Sequence, residues 1–308
     1  MRVSGIVVAV LLWALVLVPA GGVEMEREWT DESGRTTRGT LVGATDNTIQ
    51  IRGQGDKVYT VPIRKLSLED QVYIEEWRKE DPLKRGRHAE VNFFGCRAEA
   101  EKVVFVVDVS ASMRSEGDNG KPRLEILKEE LVKAVERLPE GIRFQVLFFS
   151  GPAWFLGEDS LREAKNWERK DSGNFWYYRD GKDESLPVGR YLTADEKTVR
   201  DAVHDIENVR ITGGTDWRSP LKMAIKMEPE VIFFMTDGAV AEEPNRTPLV
   251  EDVLAFNEAN GAVQINTIAL MEPNATEKLV ALAAGSGGMC TVVEDDGTVR
   301  EVTAGEES

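Results

Sequence analysis

The chain has 308 residues, 42% of them hydrophobic, which is length enough for two domains with cores of their own. Asp and Glu number 54 against 38 Lys and Arg, a formal net charge of −16. That balance, with no basic stripe along the sequence, excludes a nucleic-acid partner held through its phosphates; it suits a soluble protein or one that gathers divalent cations.

Residues 1–20 read as a signal peptide. Arg2 gives a short positive start, residues 6–18 are an unbroken apolar run, and Val18, Pro19 and Ala20 supply the small residues of a cleavage site. The run is shorter than the roughly 18 residues that span a bilayer. The expectation is an exported protein, secreted or periplasmic, with no membrane segment beyond the signal.

Residues 24–80 form one unit. Three β-prone runs, 36–42, 48–52 and 57–63, are separated by the turn residues Asp46-Asn47 and Gly53-Gln54-Gly55-Asp56. A short helix follows, opened by Ser67 with Asp70 three residues on and carrying Leu68, Val72 and Trp77. The pattern is a small β-barrel or meander closed by a helix. Three stretches, Glu28-Trp29-Thr30-Asp31-Glu32-Ser33-Gly34-Arg35, Val61-Pro62-Ile63-Arg64-Lys65-Leu66-Ser67 and Asp70-Gln71-Val72-Tyr73-Ile74, resemble the Sla homology domain. That resemblance implies an SH3-like barrel of the kind found in endocytic adaptors and exported bacterial proteins. The adaptors' peptide binding is not carried over, because no binding residue here can be matched to theirs. Residues 81–90 are charged, contain Pro82 and Gly86, and read as a linker; His88 within it is expected to be solvated.

From Val91 to residue 294 the pattern alternates strand and helix. Runs 103–107, 144–149, 231–235 and 263–270 are largely apolar, as strands buried on both faces of a mostly parallel sheet are. Leu124, Leu127, Leu131, Val135 and Leu138 make a helical stripe. Thr193 with Glu196 forms a capping box before Val199, Val203 and Ile206. Thr247-Pro248 opens another helix, and Asn274 with Glu277 opens a last one that is expected to stop at Gly285. A final strand, 289–293, precedes an acidic tail, 295–308, expected to fray. The repeated strand–helix order predicts a doubly wound α/β domain, Rossmann-like in plan. Cys96 and Cys290 flank it, as a disulfide or as two separate buried thiols.

Residues 151–192 break this rhythm. They carry Trp154, Phe155, Trp167, Phe175, Trp176, Tyr177, Tyr178 and Tyr191 without clear periodicity. Such a segment is functional or locally folded. Two readings stand: a rim or lid over the carboxyl end of the sheet, or a self-packed cover for its edge.

Open α/β sheets bind ligands beyond the carboxyl ends of their strands, and three segments arrive there bearing oxygen donors. They are Asp108-Val109-Ser110-Ala111-Ser112, Thr212-Gly213-Gly214-Thr215-Asp216 and Thr236-Asp237-Gly238. Together they resemble the metal-ion-dependent adhesion site of von Willebrand factor A-type (VWA) domains, over residues 91–293. All five positions match; Ala111 stands where a glycine is common. The resemblance implies that Asp108, Ser110, Ser112, Thr215 and Asp237 hold one Mg²⁺, with Mn²⁺ or Ca²⁺ as substitutes. Mg²⁺ takes about six oxygens at roughly 2.0–2.1 Å and keeps some water. Hydroxyls supply neutral oxygens and the two aspartates supply charge, so the ion is left seeking one more anionic oxygen.

Catalytic readings of the same residues lack parts. A phosphotransferase aspartate needs a second aspartate two residues on, where Ser110 stands. A serine nucleophile needs a base, and the histidines are His88 in the linker and His204 in a helix. No phosphate-loop or dinucleotide fingerprint follows a strand. The expectation is a non-enzymatic binding module that captures an exposed Asp or Glu of a protein partner, with a metal-assisted hydrolase and a metal-independent assembly scaffold as alternatives.

Overall fold

The computed structural model describes residues 26–44, 48–53, 57–80, 89–118, 120–170, 175–238, 240, 242–271 and 273–303. The signal-peptide expectation, most of the linker with His88, and residues 304–308 of the tail lie outside the described residues. No helix among the described residues is long and apolar enough to cross a membrane.

The N-terminal unit is a four-stranded antiparallel meander, β1 (Glu26–Thr30), β2 (Thr36–Ala44), β3 (Thr48–Arg52) and β4 (Val58–Pro62), in linear order, followed by α1 (Leu68–Glu80). Strand β1 adds to the three runs read in the sequence. Of the two forms expected, barrel or meander, the named strands show the meander, β4 pairing with β3 and β1 with β2. An antiparallel bridge between Asp31 and Leu66, with Ser67 N–H donating to Thr30 O at 2.8 Å, also ties the end of β1 to the stretch after β4. Alternation puts Trp29, Leu41, Ile49 and Ile51 on one face, where they pack with Leu66 and Ile74 into a separate core. Ser67 caps α1 as expected, its hydroxyl accepting the Asp70 N–H at 3.2 Å. The buried Asp70 carboxylate in turn accepts from Thr30 N–H at 2.7 Å and pairs with Arg27, locking the helix onto β1.

A hairpin, β5 (Ala89–Phe93) and β6 (Cys96–Ala100), takes the last two residues of the expected linker. The main sheet follows. Its parallel centre is β7 (Lys102–Asp108), β8 (Arg143–Phe149), β13 (Val231–Thr236), β14 (Gln264–Leu270) and β15 (Cys290–Val293), in the spatial order β8-β7-β13-β14-β15. Antiparallel strands β9 (Ala153–Phe155) and β12 (Leu192–Thr193) border β8, and β16 (Val299–Val302) borders β15. Each central strand feeds two cores. Val103, Phe105 and Val107 face one side, where α2 (Arg123–Glu136) and α4 (Glu196–Asn208) pack; Val104 and Val106 face the other. On that second side lie α5 (Arg218–Ile225), α6 (Leu249–Ala259) and α7 (Pro273–Ser286). This is the doubly wound mixed sheet read from the sequence.

Several local expectations are corrected. The cap of α4 is Asp195, whose carboxylate accepts Thr198 N–H at 2.8 Å, while Thr193 is spent in β12. Helix α7 runs through Gly285 and stops at Gly287, where φ is +78°. Gly285 is small for a packing reason: a Cβ there would stand 2.4 Å from Leu254 Cδ1. The tail does not fray from residue 295, because β16 returns along β15. Cys96 and Cys290 are both buried and both free.

The aromatic segment is locally folded. It contributes β9, a short helix α3 (Ser160–Glu163), and a hairpin of β10 (Trp167–Lys170) and β11 (Phe175–Tyr178). Phe155, Trp167, Tyr178 and Leu186 join the second core, so most of the segment is a cover for that side of the sheet. Its inner edge nonetheless reaches the carboxyl end of the strands: Trp176 stands against Gly151, leaving no room for a Cβ there, and donates its N–H to Asp216 at 2.8 Å.

The N-terminal unit meets the α/β domain at the opposite, amino end of the sheet. Gln50 Nε2 donates to Glu230 Oε1 at 3.1 Å, just before β13, and Lys65 lies 3.6 Å from Glu258 on α6.

Candidate metal centre

The first strand of the parallel sheet, β7, lies inside it, with β8 on one side and β13 on the other. The order in which strands are added therefore reverses between the parallel neighbours β7 and β13, which opens a crevice at their carboxyl ends. Asp108 ends β7 and Asp237 follows β13, so the topology alone brings these two carboxylates together.

Their surroundings are made of hydroxyls and main-chain N–H groups. Asp108 is fully buried; Oδ1 accepts the Ser110 N–H at 2.7 Å and Oδ2 accepts the Thr236 hydroxyl at 2.5 Å. The Ser110 and Ser112 hydroxyls lie 2.9 Å apart, and Ser112 Oγ donates to Asp237 Oδ1 at 2.7 Å. Ser110, Ser112 and Asp237 are thus linked oxygen to oxygen, and Asp108 joins them through the Ser110 N–H. Thr215 comes from the third segment: a Cβ placed on Gly238 would stand 3.2 Å from its Cγ2 and 3.7 Å from its Oγ1. A side chain at position 238 would press on the threonine, which would have to give by a few tenths of an ångström. The threonine loop is tied down on both sides, Thr212 N–H donating to Val109 O at 2.9 Å and Thr212 Oγ1 to Ser150 Oγ at 2.6 Å. Asp108, Ser110 and Asp237 are buried while Ser112 is exposed and Thr215 half-buried, so the cluster opens to solvent on the hydroxyl side.

Burial and the neighbouring Asp237 charge push the Asp108 carboxyl up to about 7, against the lowering pull of its bonds from Thr236 and Ser110. Burial also raises Asp237. Two buried carboxylates this close resist ionising together unless a cation joins them. One cation is already present: Arg123, the first residue of α2, donates to Asp237 Oδ2 at 3.1 Å. The sequence reading assigns Arg123 no role; nothing in local spacing connects it with Asp237, 114 residues away. Thr236 was quoted within its motif but not assigned the bond to Asp108.

The donor set suits a small hard cation. Among the described residues no group of three or more His, Cys, Asp or Glu gathers, so a carboxylate-rich or histidine cage is not on offer. Two carboxylates with three hydroxyls make an oxygen set matched to Mg²⁺, with an open side for water or a ligand. His204 lies on the exposed face of α4 beside Asn208, away from the site.

A family model described as the von Willebrand factor type A domain matches residues 101–165 and 186–292. No curated protein matches the chain in sequence. Among solved structures, a von Willebrand factor type A protein from Catenulispora acidiphila is 18% identical, over 65% of this chain and 40% of that one, with a TM-score of 0.45. The conserved hypothetical protein BatB from Bacteroides thetaiotaomicron is 15% identical over 63% of this chain and 90% of its own, with a TM-score of 0.43. An aerotolerance-related membrane protein from Bacteroides fragilis is 16% identical, covers 61% and 89%, and has a TM-score of 0.40. The chain spans less than half the length of the Catenulispora structure it matches.

Proposed function

The chain belongs to the von Willebrand factor type A domain family, and from that premise we propose that it is a metal-dependent binding protein that captures an acidic side chain of a protein partner. Domains of this family are typically non-enzymatic modules of protein–protein interaction. The observation that carries the finer reading is the cluster at the β7–β13 crevice: two buried carboxylates and a run of hydroxyls, open to solvent on the hydroxyl side. Asp108, Ser110, Ser112, Thr215 and Asp237 would hold Mg²⁺, with Mn²⁺ or Ca²⁺ as substitutes. When bound, the cation supplies a Lewis-acidic centre for one further anionic oxygen. The residues orient and partly neutralise it: Ser110 N–H and Thr236 fix the Asp108 carboxylate, and Ser112 fixes Asp237.

The family's usual role favours binding over hydrolysis, and His204, the histidine among the described residues, lies on the exposed face of α4. The inner edge of the aromatic segment, at Trp176, borders the threonine loop and would contribute to partner choice, since Trp and Tyr are favoured interface anchors. The N-terminal unit, read as a Sla homology domain from its sequence, would serve as a spacer at the far end of the sheet. Export, by the segment at 1–20, would place the site outside the cytoplasm.

The test is calorimetric titration of Mg²⁺ into the chain, followed by a hexaglutamate peptide against hexaglutamine. Wild type should bind the cation and then the acidic peptide only; EDTA or Asp108→Ala should abolish both. Equal binding of hexaglutamate with and without EDTA would refute the reading.

A further inference from the structure

Asp237 does not face the site alone. The guanidinium of Arg123 donates from one nitrogen to Asp237 Oδ2 at 3.1 Å and from another to the Met271 carbonyl at 2.7 Å. The two side chains are 13% and 0% exposed, so the pair is shielded from water and salt. Arg123 is itself held in place, its N–H donating to Ser115 O at 2.9 Å where α2 begins. The other Asp237 oxygen accepts the Ser112 hydroxyl. Both oxygens of Asp237 are therefore engaged, one of them by a fixed positive charge.

The charge count follows. Asp108 and Asp237 contribute −2 and Arg123 contributes +1, which leaves −1 among the three groups. A dication set among them keeps +1 uncompensated, in a site too buried for bulk solvent to screen fully. We propose that Arg123 is a positioning residue that sets this surplus: by neutralising Asp237 from inside the protein, it leaves the bound cation one charge short, and a partner's carboxylate supplies the missing charge. This rests on the metal-dependent reading above and predicts a site that holds its cation modestly and its acidic ligand well.

A merely structural role for Arg123, stapling α2 to the turns after β13 and β14, predicts something different. Loss of a staple loosens the site and weakens cation and ligand together. Loss of a charge makes the two affinities move in opposite directions.

The experiment titrates Mg²⁺, and then hexaglutamate in saturating Mg²⁺, into the full chain as wild type, R123K and R123Q. R123Q is expected to bind Mg²⁺ about tenfold tighter, the effect that removing one nearby positive charge has on a dication even under water-like screening. It should bind hexaglutamate about threefold more weakly, because the carboxylate that meets the cation carries half its charge. R123K, which keeps the charge, should stay near wild type in both. In EDTA, R123Q should melt below wild type, because Asp237 is left buried and unpaired, and Mg²⁺ should restore it. If R123Q is unfolded in EDTA, the proposal requires that it fold on adding Mg²⁺. Failure to do so, or affinities that fall together or do not change, overturns the inference while leaving the metal-dependent function standing. A wild type that binds no Mg²⁺ overturns both.

Discussion

Replacing Asp216 with alanine tests the joint between the aromatic segment and the threonine loop. The side chain is 6% exposed and accepts two main-chain N–H groups, from Trp176 at 2.8 Å and from Arg218 at 3.2 Å. Its own N–H donates to Ser150 O at 2.9 Å, so one residue fixes β11 and the start of α5, and anchors the loop to the end of β8. Two effects oppose each other in the variant. Each N–H loses a charged acceptor, at about 1.5–3 kcal/mol apiece. Against that, the carboxyl is held above its usual range by burial, and alanine relieves the cost of keeping a charge there. The second effect offsets only part of the first, which gives a net loss of about 2–3 kcal/mol. For a domain of this size the melting temperature should fall by about 4–12 °C. Urea and thermal unfolding measure the loss. Asn at the same position should recover little, because its amide must present N–H to one of the two donors. Mg²⁺ affinity should drop by about threefold or more as Thr215, the neighbouring residue, loses its footing. Stability within about 0.5 kcal/mol of wild type, with unchanged Mg²⁺ binding, would show that the hairpin and loop are held some other way.

Two further expectations concern stability. In metal-free protein the Asp108 carboxyl sits at about 7, above its ordinary 3.8, so the folded state holds this proton more tightly than the unfolded chain. Its contribution is therefore greatest at low pH and is lost as pH rises through 7; between pH 5.5 and 8 the loss is on the order of 2 kcal/mol. Melting in EDTA should show that slope, and Asp108→Asn or saturating Mg²⁺ should flatten it; an unchanged slope in Asp108→Asn would assign it elsewhere. Lys222 is 2% exposed, its ammonium 2.6 Å from Asp183 in the aromatic segment and 2.9 Å from Asp252 on α6. Lys222→Met should cost about 3 kcal/mol, the low end for breaking a buried pair, because Arg218 still neutralises Asp252. Urea unfolding with limited proteolysis of residues 179–190 checks it, and a loss under about 1 kcal/mol would mean that the segment does not depend on this lysine.

The sequence disclosed the central strands because each is a short run apolar on both faces, as strands sandwiched in a parallel sheet are. It disclosed the motifs of the site because they sit at strand ends, where alternation breaks off into Asp, Ser and Thr. What escaped were elements defined by distant partners. Helix α5 is buried almost all round, and its charged face, Arg218 and Lys222, is turned inward to Asp252 and not to solvent; Pro220 in its first turn reads as a breaker although its missing N–H costs little there. The strands β9, β10 and β11 have three or four residues each and depend on what they pack against, such as the gap at Gly151 that admits Trp176. Arg123 shows the same limit at the site. Its meaning comes from α2 starting beside the turn after β13, and no local pattern encodes that meeting.

The two cysteines carry a consequence for where the chain can fold. Cys96 approaches the Thr291 hydroxyl at 3.4 Å on one face of the sheet, while the neighbouring Cys290 points into the core on the other. Burial pushes the Cys96 thiol up to about 12 and raises Cys290 as well, so neither offers a thiolate at neutral pH. The fold owes nothing to a covalent crosslink and has no reactive sulfur to shield. The folded packing therefore does not depend on redox potential, because it has no disulfide to lose under reducing conditions.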